Sequence, residues 1–219
     1  MKASKNRMWK LAMSVVTGIS FAAAALAAEP LYFTDFENAE LDKVPDDMLV
    51  LDGGFGVKQA DGNKVLELPG APLDTFGVLF GPTQVDGVVV SCRIKGDGKG
   101  RRYPSFGVSL GGVGGYRLQV SPAKKAVEII KGDETKATTP LAWESATWTQ
   151  LKLQVRKVKD GEWVAEGKVW KQGTPEPTDW MITEKSNEEP TSGRPAIWGN
   201  PFSGTPIQFD DLKLEVIGK

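Results

Sequence analysis

An alternating stretch in the second half of the chain constrains its fold more than any other feature. From Trp148 the sequence reads WTQLKLQVRKV, in which the apolar residues Leu151, Leu153 and Val155 alternate with polar ones. Alternation with a period of two is typical of a β-strand that has one buried and one solvated face. This stretch therefore predicts a strand in a layered β structure.

A tight turn and a second strand follow directly. Asp160-Gly161 is a pair of residues suited to the backbone angles of a short hairpin turn. After the turn, Trp163, Ala165 and Val169 share one parity, as the buried face of a returning strand would. The two segments are predicted to form an antiparallel hairpin.

Similar short segments recur along the chain, and we find no convincing helical periodicity after the first 27 residues. Polar loops are predicted around Pro45 and from 186 to 194, and prolines argue against a central strand near Trp180. Besides the hairpin, strands are predicted at 31–36, 55–57, 64–68, 76–80, 87–95, 106–110, 116–120, 127–129, 196–199 and 206–217. About a dozen short strands separated by turn residues favour an all-β, two-sheet antiparallel sandwich.

The last predicted strand contains an irregularity. Ile207 and Phe209 are apolar at odd positions, whereas Leu212 and Leu214 are apolar at even positions. A one-residue bulge at Asp210-Asp211 would keep both sets of side chains in the core.

Residues 1–27 are predicted to be a cleaved secretory signal peptide. Basic residues precede an uncharged apolar run from Leu11 to Leu26, which is short for a membrane span and ends in small residues. Residues 28–219 would then be a single exported β-sandwich domain, in the periplasm or outside the cell. With four basic residues removed its net charge is about −5, which does not favour nucleic acid or an anionic membrane as a partner.

The absence of histidine and the presence of a single cysteine limit the possible chemistry. The sequence contains no histidine, which excludes serine–histidine or cysteine–histidine catalysis and ordinary zinc sites. The single cysteine, Cys92, excludes an internal disulfide. Cys92 shares the apolar parity of its strand and is expected to be a buried hydrophobic residue, the alternative being a reactive thiol.

The order of features resembles the concanavalin A-like lectin/glucanase superfamily, in its laminin G-like branch and in secreted bacterial versions. The segments that carry the resemblance are 115–120 (GYRLQV), 148–153 (WTQLKL), the Asp160-Gly161 turn with the Trp163 strand, 167–180 (GKVW through PEP to Trp180) and 209–214 (FDDLKL). The resemblance implies a jelly roll with adjacent first and last strands, which binds glycans or proteins more often than it catalyses. The Glu-x-Asp-x-Glu and Glu-x-Asp-x-x-Glu spacings of the superfamily's glucanases are absent.

Polar residues that alternate with the core positions are candidates for a ligand-binding groove. They are Arg93, Arg117, Gln119, Gln150, Lys152, Gln154, Glu166 and Lys168. If they share one concave sheet, their side chains would suit sugar hydroxyls. The alternative is an ordinary solvated sheet face.

Tryptophans could supply stacking surfaces for sugar rings. Trp170 has the parity of polar neighbours, and Trp180 and Trp198 lie in or beside predicted loops. The alternative is that they cover the ends and edges of the sandwich, because tryptophan is mostly buried.

Two further sites depend on charged residues. The basic loop that contains Arg102 and Tyr103 could hold a carboxylated or sulfated glycan, unless it is simply solvated. The superfamily resemblance also suggests a structural Ca²⁺ where first and last strands meet, with Asp35, Asp210 and Asp211 as ligands. The alternative is a bulge whose acids cap backbone groups or face water.

The sequence thus favours an exported protein that recognises a carbohydrate without catalysis. Two alternatives remain open: a module that binds envelope proteins through the same sheet face, and a glycan-active hydrolase that uses only carboxylates, of the 3-keto-glycoside or glucan type. The sequence does not indicate the oligomeric state.

Overall fold

A computed structural model describes residues 29–70 and 74–218. The predicted signal peptide lies outside the described residues. The described residues form fifteen strands and one short 3₁₀ helix, Pro122–Lys124. The strands are β1 (Tyr32–Thr34), β2 (Leu49–Asp52), β3 (Gly56–Ala60), β4 (Asn63–Leu68), β5 (Phe76–Leu79), β6 (Val88–Gly96), β7 (Ser105–Leu110), β8 (Tyr116–Ser121), β9 (Ala126–Lys131), β10 (Glu134–Pro140), β11 (Trp148–Lys159), β12 (Glu162–Lys171), β13 (Ile182–Ser186), β14 (Ala196–Asn200) and β15 (Ile207–Val216).

The strands form two antiparallel sheets, which confirms the predicted sandwich. The eight-stranded sheet has the order β13-β12-β11-β6-β15-β4-β3, with β1 paired to the second half of β15. The seven-stranded sheet has the order β10-β9-β8-β7-β14-β5-β2. The pairing of β1 with β15 also confirms that the first and last strands are adjacent.

One hydrophobic core lies between the sheets, and alternation decides which side chains enter it. Leu151, Leu153 and Val155 of β11 are buried in this core. Cys92 of β6 is also part of it, and burial raises the pKa of its thiol above the ordinary value. A deeply buried thiol of raised pKa is a poor nucleophile, so the structure supports the packing role predicted for Cys92.

The predicted bulge in the last strand is present. The register of β15 against β6 shifts by one residue between Asp210 and Lys213, and Asp211 has a left-handed backbone (φ 52°). Phe209 and Leu212 are consequently both fully buried although their parity differs. An extra residue in one strand is what allows this change of face.

Three strands were not predicted: β2, β10 and β13. All three are terminal in the order of their sheets. An edge strand has a neighbour on one side only and buries few side chains, so its sequence needs little apolar alternation. The sequence of β10, ETKATTP, is an example with mostly exposed side chains. Because β13 lies at the edge of its sheet, it is consistent with the prediction that the prolines near Trp180 exclude a central strand there.

Candidate functional site

The predicted ligand residues do not share one sheet. Arg93, Gln150, Lys152 and Trp170 lie on the eight-stranded sheet, whereas Arg117, Gln119 and Trp198 lie on the seven-stranded sheet. The expectation of one common groove is therefore wrong. The core separates the two outer faces, because side chains of opposite parity on the same strands fill the space between the sheets.

On the outer face of the eight-stranded sheet, the charged groups neutralise one another. Gln150 is paired in register with both Arg93 and Trp170. Lys152 Nζ lies 3.1 Å from a carboxylate oxygen of Glu176, in the segment that follows β12. Lys152 is therefore engaged by the protein itself.

The segment after β12 also covers part of this face. Lys168 Nζ donates hydrogen bonds to the carbonyl oxygens of Pro177 (2.6 Å) and Thr178 (3.1 Å) and lies 4.7 Å from the ring centre of Trp180. Lys168 is consequently buried, as are Gln154 and Glu166, all three of which were expected to project into a groove. A returning loop is not visible in strand parity, which explains the error.

Arg93 is the best neutralised residue of this face. Its Nη2 lies 2.6 Å from Asp210 Oδ2, its Nε lies 2.9 Å from Asp211 Oδ2, and its guanidinium carbon lies 4.8 Å from the ring centre of Trp148. Asp210 is fully buried and also accepts a hydrogen bond from Asn63 Nδ2 at 2.7 Å. Burial raises the pKa of Asp210 to about 6, although Arg93 acts to lower it.

This arrangement does not provide the expected calcium site. Within residues 29–70 and 74–218, no three acidic, histidine or cysteine side chains come together as metal ligands. Asp35 accepts a hydrogen bond from the backbone of Glu37 instead. Ca²⁺ takes six to eight oxygen ligands, and Asp210 and Asp211 both form ion pairs with Arg93. The described residues do not bring Asp35, Asp210 and Asp211 together, and a structural Ca²⁺ stays a prediction.

The basic loop lies between β6 and β7. Lys99 and Arg102 exchange two backbone hydrogen bonds, of 2.9 and 3.1 Å, and the side chains of Arg102 and Tyr103 are exposed. A ligand role for Arg102 and Tyr103 stays a prediction.

The outer face of the seven-stranded sheet has a different composition. Gln119 of β8 and Trp198 of β14 lie on either side of Gly107 of β7, with which both are paired in register. Arg117 and Ala196 similarly lie on either side of Ser109. Small residues thus form the centre of this face and larger polar residues stand beside them.

Trp198 is part of the floor of this face and is not a free stacking surface. It is only 8% exposed, and its Nε1 donates a hydrogen bond to Ser109 Oγ at 2.8 Å. On its other side it is paired with Gly77, where a Cβ atom would lie 2.7 Å from the indole ring. Gly77 is therefore required for the ring to lie close to the sheet.

A chain of hydrogen bonds fixes the polar side chains next to the floor. Gln119 Nε2 donates to Ser121 Oγ (3.0 Å), and Ser121 Oγ donates to Glu128 Oε2 (2.6 Å). Lys124 Nζ donates to the other oxygen of Glu128 at 2.8 Å. Burial acts to raise the pKa of Glu128, but the hydrogen bonds from Lys124 and Ser121 outweigh it and hold that pKa below its ordinary value.

Arg117 lies on the same face but is not part of this chain of hydrogen bonds. Its guanidinium carbon lies 5.4 Å from the ring centre of Trp198. Its Nε is buried, and no group of the described residues accepts a hydrogen bond from it. Burial lowers the pKa of Arg117, with Asp133 and Glu128 acting in the opposite direction. A buried donor without an acceptor is costly, and the Nε of Arg93 is in the same state. Unlike Arg93, Arg117 forms no ion pair with a carboxylate of the described residues.

Sequence reasoning missed Ser109, Ser121 and Glu128, which complete this face. The parity of Glu128, opposite to that of Val127 and Ile129, could have indicated its outward position. It also missed a cavity of about 480 Å³ on the eight-stranded sheet, lined by residues that include Arg156 and Glu166. Glu166 is already held there by Arg156 Nε (3.1 Å) and Gln154 Nε2 (2.6 Å).

No helix among the described residues is long and apolar enough to cross a membrane.

Comparisons with known proteins confirm the concanavalin A-like fold. No family model and no curated protein sequence matches the chain. Among solved structures, a family 66 carbohydrate-binding module from Bacillus subtilis is similar with a TM-score of 0.52 and 13% identity, over 77% of this chain and 95% of that one. The carbohydrate recognition domain of Emp46p, in its metal-free form, is similar with a TM-score of 0.55 and 12% identity (87% and 98% covered).

An enzyme shares the same fold. An alginate lyase from Aplysia kurodai is similar with a TM-score of 0.55 and 9% identity, over 86% of this chain and all of that one. At such low identities these likenesses establish the fold of the chain, and function has to be argued from its own residues.

Proposed function

We propose that this protein is exported and binds a carbohydrate, without cleaving it, through the outer face of the seven-stranded sheet. The observation that carries the proposal is the group Arg117, Gln119 and Trp198 around the small residues Gly107 and Ser109. Three of the residues that the sequence singled out for sugar contacts come together there. The fixed hydrogen-bond chain from Gln119 to Glu128 reduces the entropy that a bound ligand would have to offset.

The chemistry of this face suits a sugar. Arginine and glutamine side chains supply planar hydrogen-bonding groups for adjacent hydroxyls. Gly107 and Ser109 are themselves buried, so a sugar would contact the half-buried side chains of Arg117 and Gln119 beside them. Two solved proteins with this fold are described as carbohydrate-binding, which supports the proposal without establishing it.

The hydrogen-bond partners of Glu128 among the described residues do not include the second carboxyl group that glycoside hydrolysis needs. Glycoside hydrolysis uses two carboxyl groups, one of which must remain protonated to act as the general acid. The pKa of Glu128 is held below its ordinary value, which is the wrong direction for that role. The charged residue that binds Glu128 is Lys124, which is not a carboxylic acid.

The proposal can be tested by calorimetric titration with neutral and acidic oligosaccharides. We expect Gln119→Ala to weaken binding about fivefold, because it removes a hydrogen-bonding group worth about 1 kcal/mol. Gln208→Ala is the matched control, since Gln208 is a half-buried glutamine on the other sheet that donates to Glu67. If Gln208→Ala weakens binding and Gln119→Ala does not, the ligand binds elsewhere on the protein.

Two other outcomes would reject the proposal itself. If no oligosaccharide in a broad panel binds, the carbohydrate function is wrong and the protein-binding alternative becomes the better hypothesis. If the protein releases reducing or keto sugars over time, the non-catalytic assignment is wrong.

A further inference from the structure

The ligand charge can be inferred from two arginines that have the same local setting. Arg93 and Arg117 each project from the outer face of a sheet and each stack on a tryptophan, at 4.8 and 5.4 Å from guanidinium carbon to ring centre. Both are partly buried. They differ in what balances their charge.

Arg93 has its counter-ions within the protein. Asp210 and Asp211 lie 2.6 and 2.9 Å from its nitrogens. For Arg117, no carboxylate of the described residues lies within ion-pair distance. The Nε atoms of both arginines are buried without a hydrogen-bond acceptor among the described residues, so the difference between them lies in the ion pairs. A partly desolvated cation without a partner is unfavourable, and a bound anion would remove that cost.

The nearest acidic side chains do not supply this anion. Glu128 already accepts hydrogen bonds from Lys124 Nζ at 2.8 Å and from Ser121 Oγ at 2.6 Å. Asp133 lies in the exposed turn between β9 and β10 and influences Arg117 through its charge alone. The position opposite the guanidinium is therefore open to an anionic group from outside the chain.

We infer that the ligand is an acidic glycan, whose sugar carboxylate or sulfate pairs with the Arg117 guanidinium while neighbouring hydroxyls contact Gln119. This inference rests on the proposed function and specifies its ligand class. Guanidinium groups bind both carboxylate and sulfate through paired, charge-assisted hydrogen bonds. The two anions are therefore compared in the test.

The test uses probes that differ only in charge. Oligogalacturonate is compared with its methyl ester, and a sulfated galactan oligosaccharide with its desulfated form. We expect at least one acidic probe to bind about 10-fold to 100-fold more tightly than its neutral counterpart, the range of a hydrogen bond to a charged group. The preference should shrink as ionic strength rises.

Variants then assign the preference to a residue. Arg117→Met should abolish the preference for the acidic probe, so that acidic and neutral probes bind with affinities within about threefold of each other, because the charged contact that distinguishes them is lost. Arg117→Lys keeps the charge without the planar fork and should retain part of the preference. Arg156→Met is the control, because Arg156 is a half-buried arginine on the other sheet, paired with Glu166. Thermal unfolding of each variant establishes that it is folded.

The outcomes separate this inference from the proposed function. Neutral probes that bind as tightly as acidic ones would overturn the charge inference and leave carbohydrate binding intact. An acidic preference that survives in Arg117→Met would overturn the assignment to Arg117. Absence of binding to any probe and to the broader neutral panel would reject both.

Discussion

The outer faces of the two sheets differ in how their charges are satisfied. On the eight-stranded sheet, long side chains such as Arg93 and Lys168 find partners within the protein. On the seven-stranded sheet, glycine and serine lie at the centre, and Arg117 forms no ion pair with a carboxylate of the described residues. A face whose charges are paired within the protein contributes to stability, whereas a partly buried charge without a counter-ion can gain free energy from a bound anion.

The largest effect that tests this comparison is on the stability of the two arginine variants. Arg93→Met should lower the free energy of unfolding by about 4 kcal/mol, because it leaves buried Asp210 and its neighbour Asp211 without their counter-ion. Arg117→Met should change it by less than about 1 kcal/mol, because no ion pair with the described residues is broken. Urea unfolding of both variants measures the difference. Equal destabilisation would show that Arg117 has an internal partner, and would remove the basis of the acidic-ligand inference.

The second effect is on pH dependence and concerns Asp210. Its pKa is raised to about 6 in the folded protein, compared with about 3.9 for an unperturbed aspartate. The folded state therefore binds a proton that the unfolded chain releases between about pH 4 and 6, and stability from this group falls as pH rises through that window, by about 3 kcal/mol in total.

The measurement compares wild type with Asp210→Asn, which cannot titrate. We expect the stability of Asp210→Asn relative to wild type to increase from pH 4 to pH 7 and then to level off. A relative decrease over the same range would mean that Arg93 and Asn63 stabilise the carboxylate more than burial opposes it. In that case Asp210 would be ionised and paired with Arg93 at neutral pH. The difference between the paired Arg93 and the unpaired Arg117 would then be larger.

Much of the fold could be predicted from strand alternation. Val88, Val90, Cys92 and Ile94 show the buried parity of β6 directly in the sequence. The parity change at Asp210 likewise predicted the bulge. The edge strands could not be predicted in this way, because one-sided pairing and exposure leave residues such as Thr138 free of any apolar pattern.

The candidate site was predicted less well, for a topological reason. Parity indicates that Arg117 and Gln119 face outward, but it does not indicate which sheet a strand joins. The contact between Gly107 and Trp198 depends on the pairing of β7 with β14, which are distant in sequence. A glycine inside an apolar strand was an available signal, since it often marks a close approach of another group. Gly77 beneath the Trp198 ring is such a case.

The smallest predicted effect concerns Trp170, the half-buried tryptophan of the other face. If the seven-stranded sheet carries the ligand, Trp170→Ala should leave oligosaccharide affinity within about twofold of wild type, because Trp170 lies on the opposite sheet beside Gln150. Gln119→Ala, measured in the same titration, provides the positive comparison. A tenfold loss in Trp170→Ala with affinity retained in Gln119→Ala would move the site to the eight-stranded sheet. The ion pairs around Lys152 and Glu176 would then have to open for a ligand to bind there.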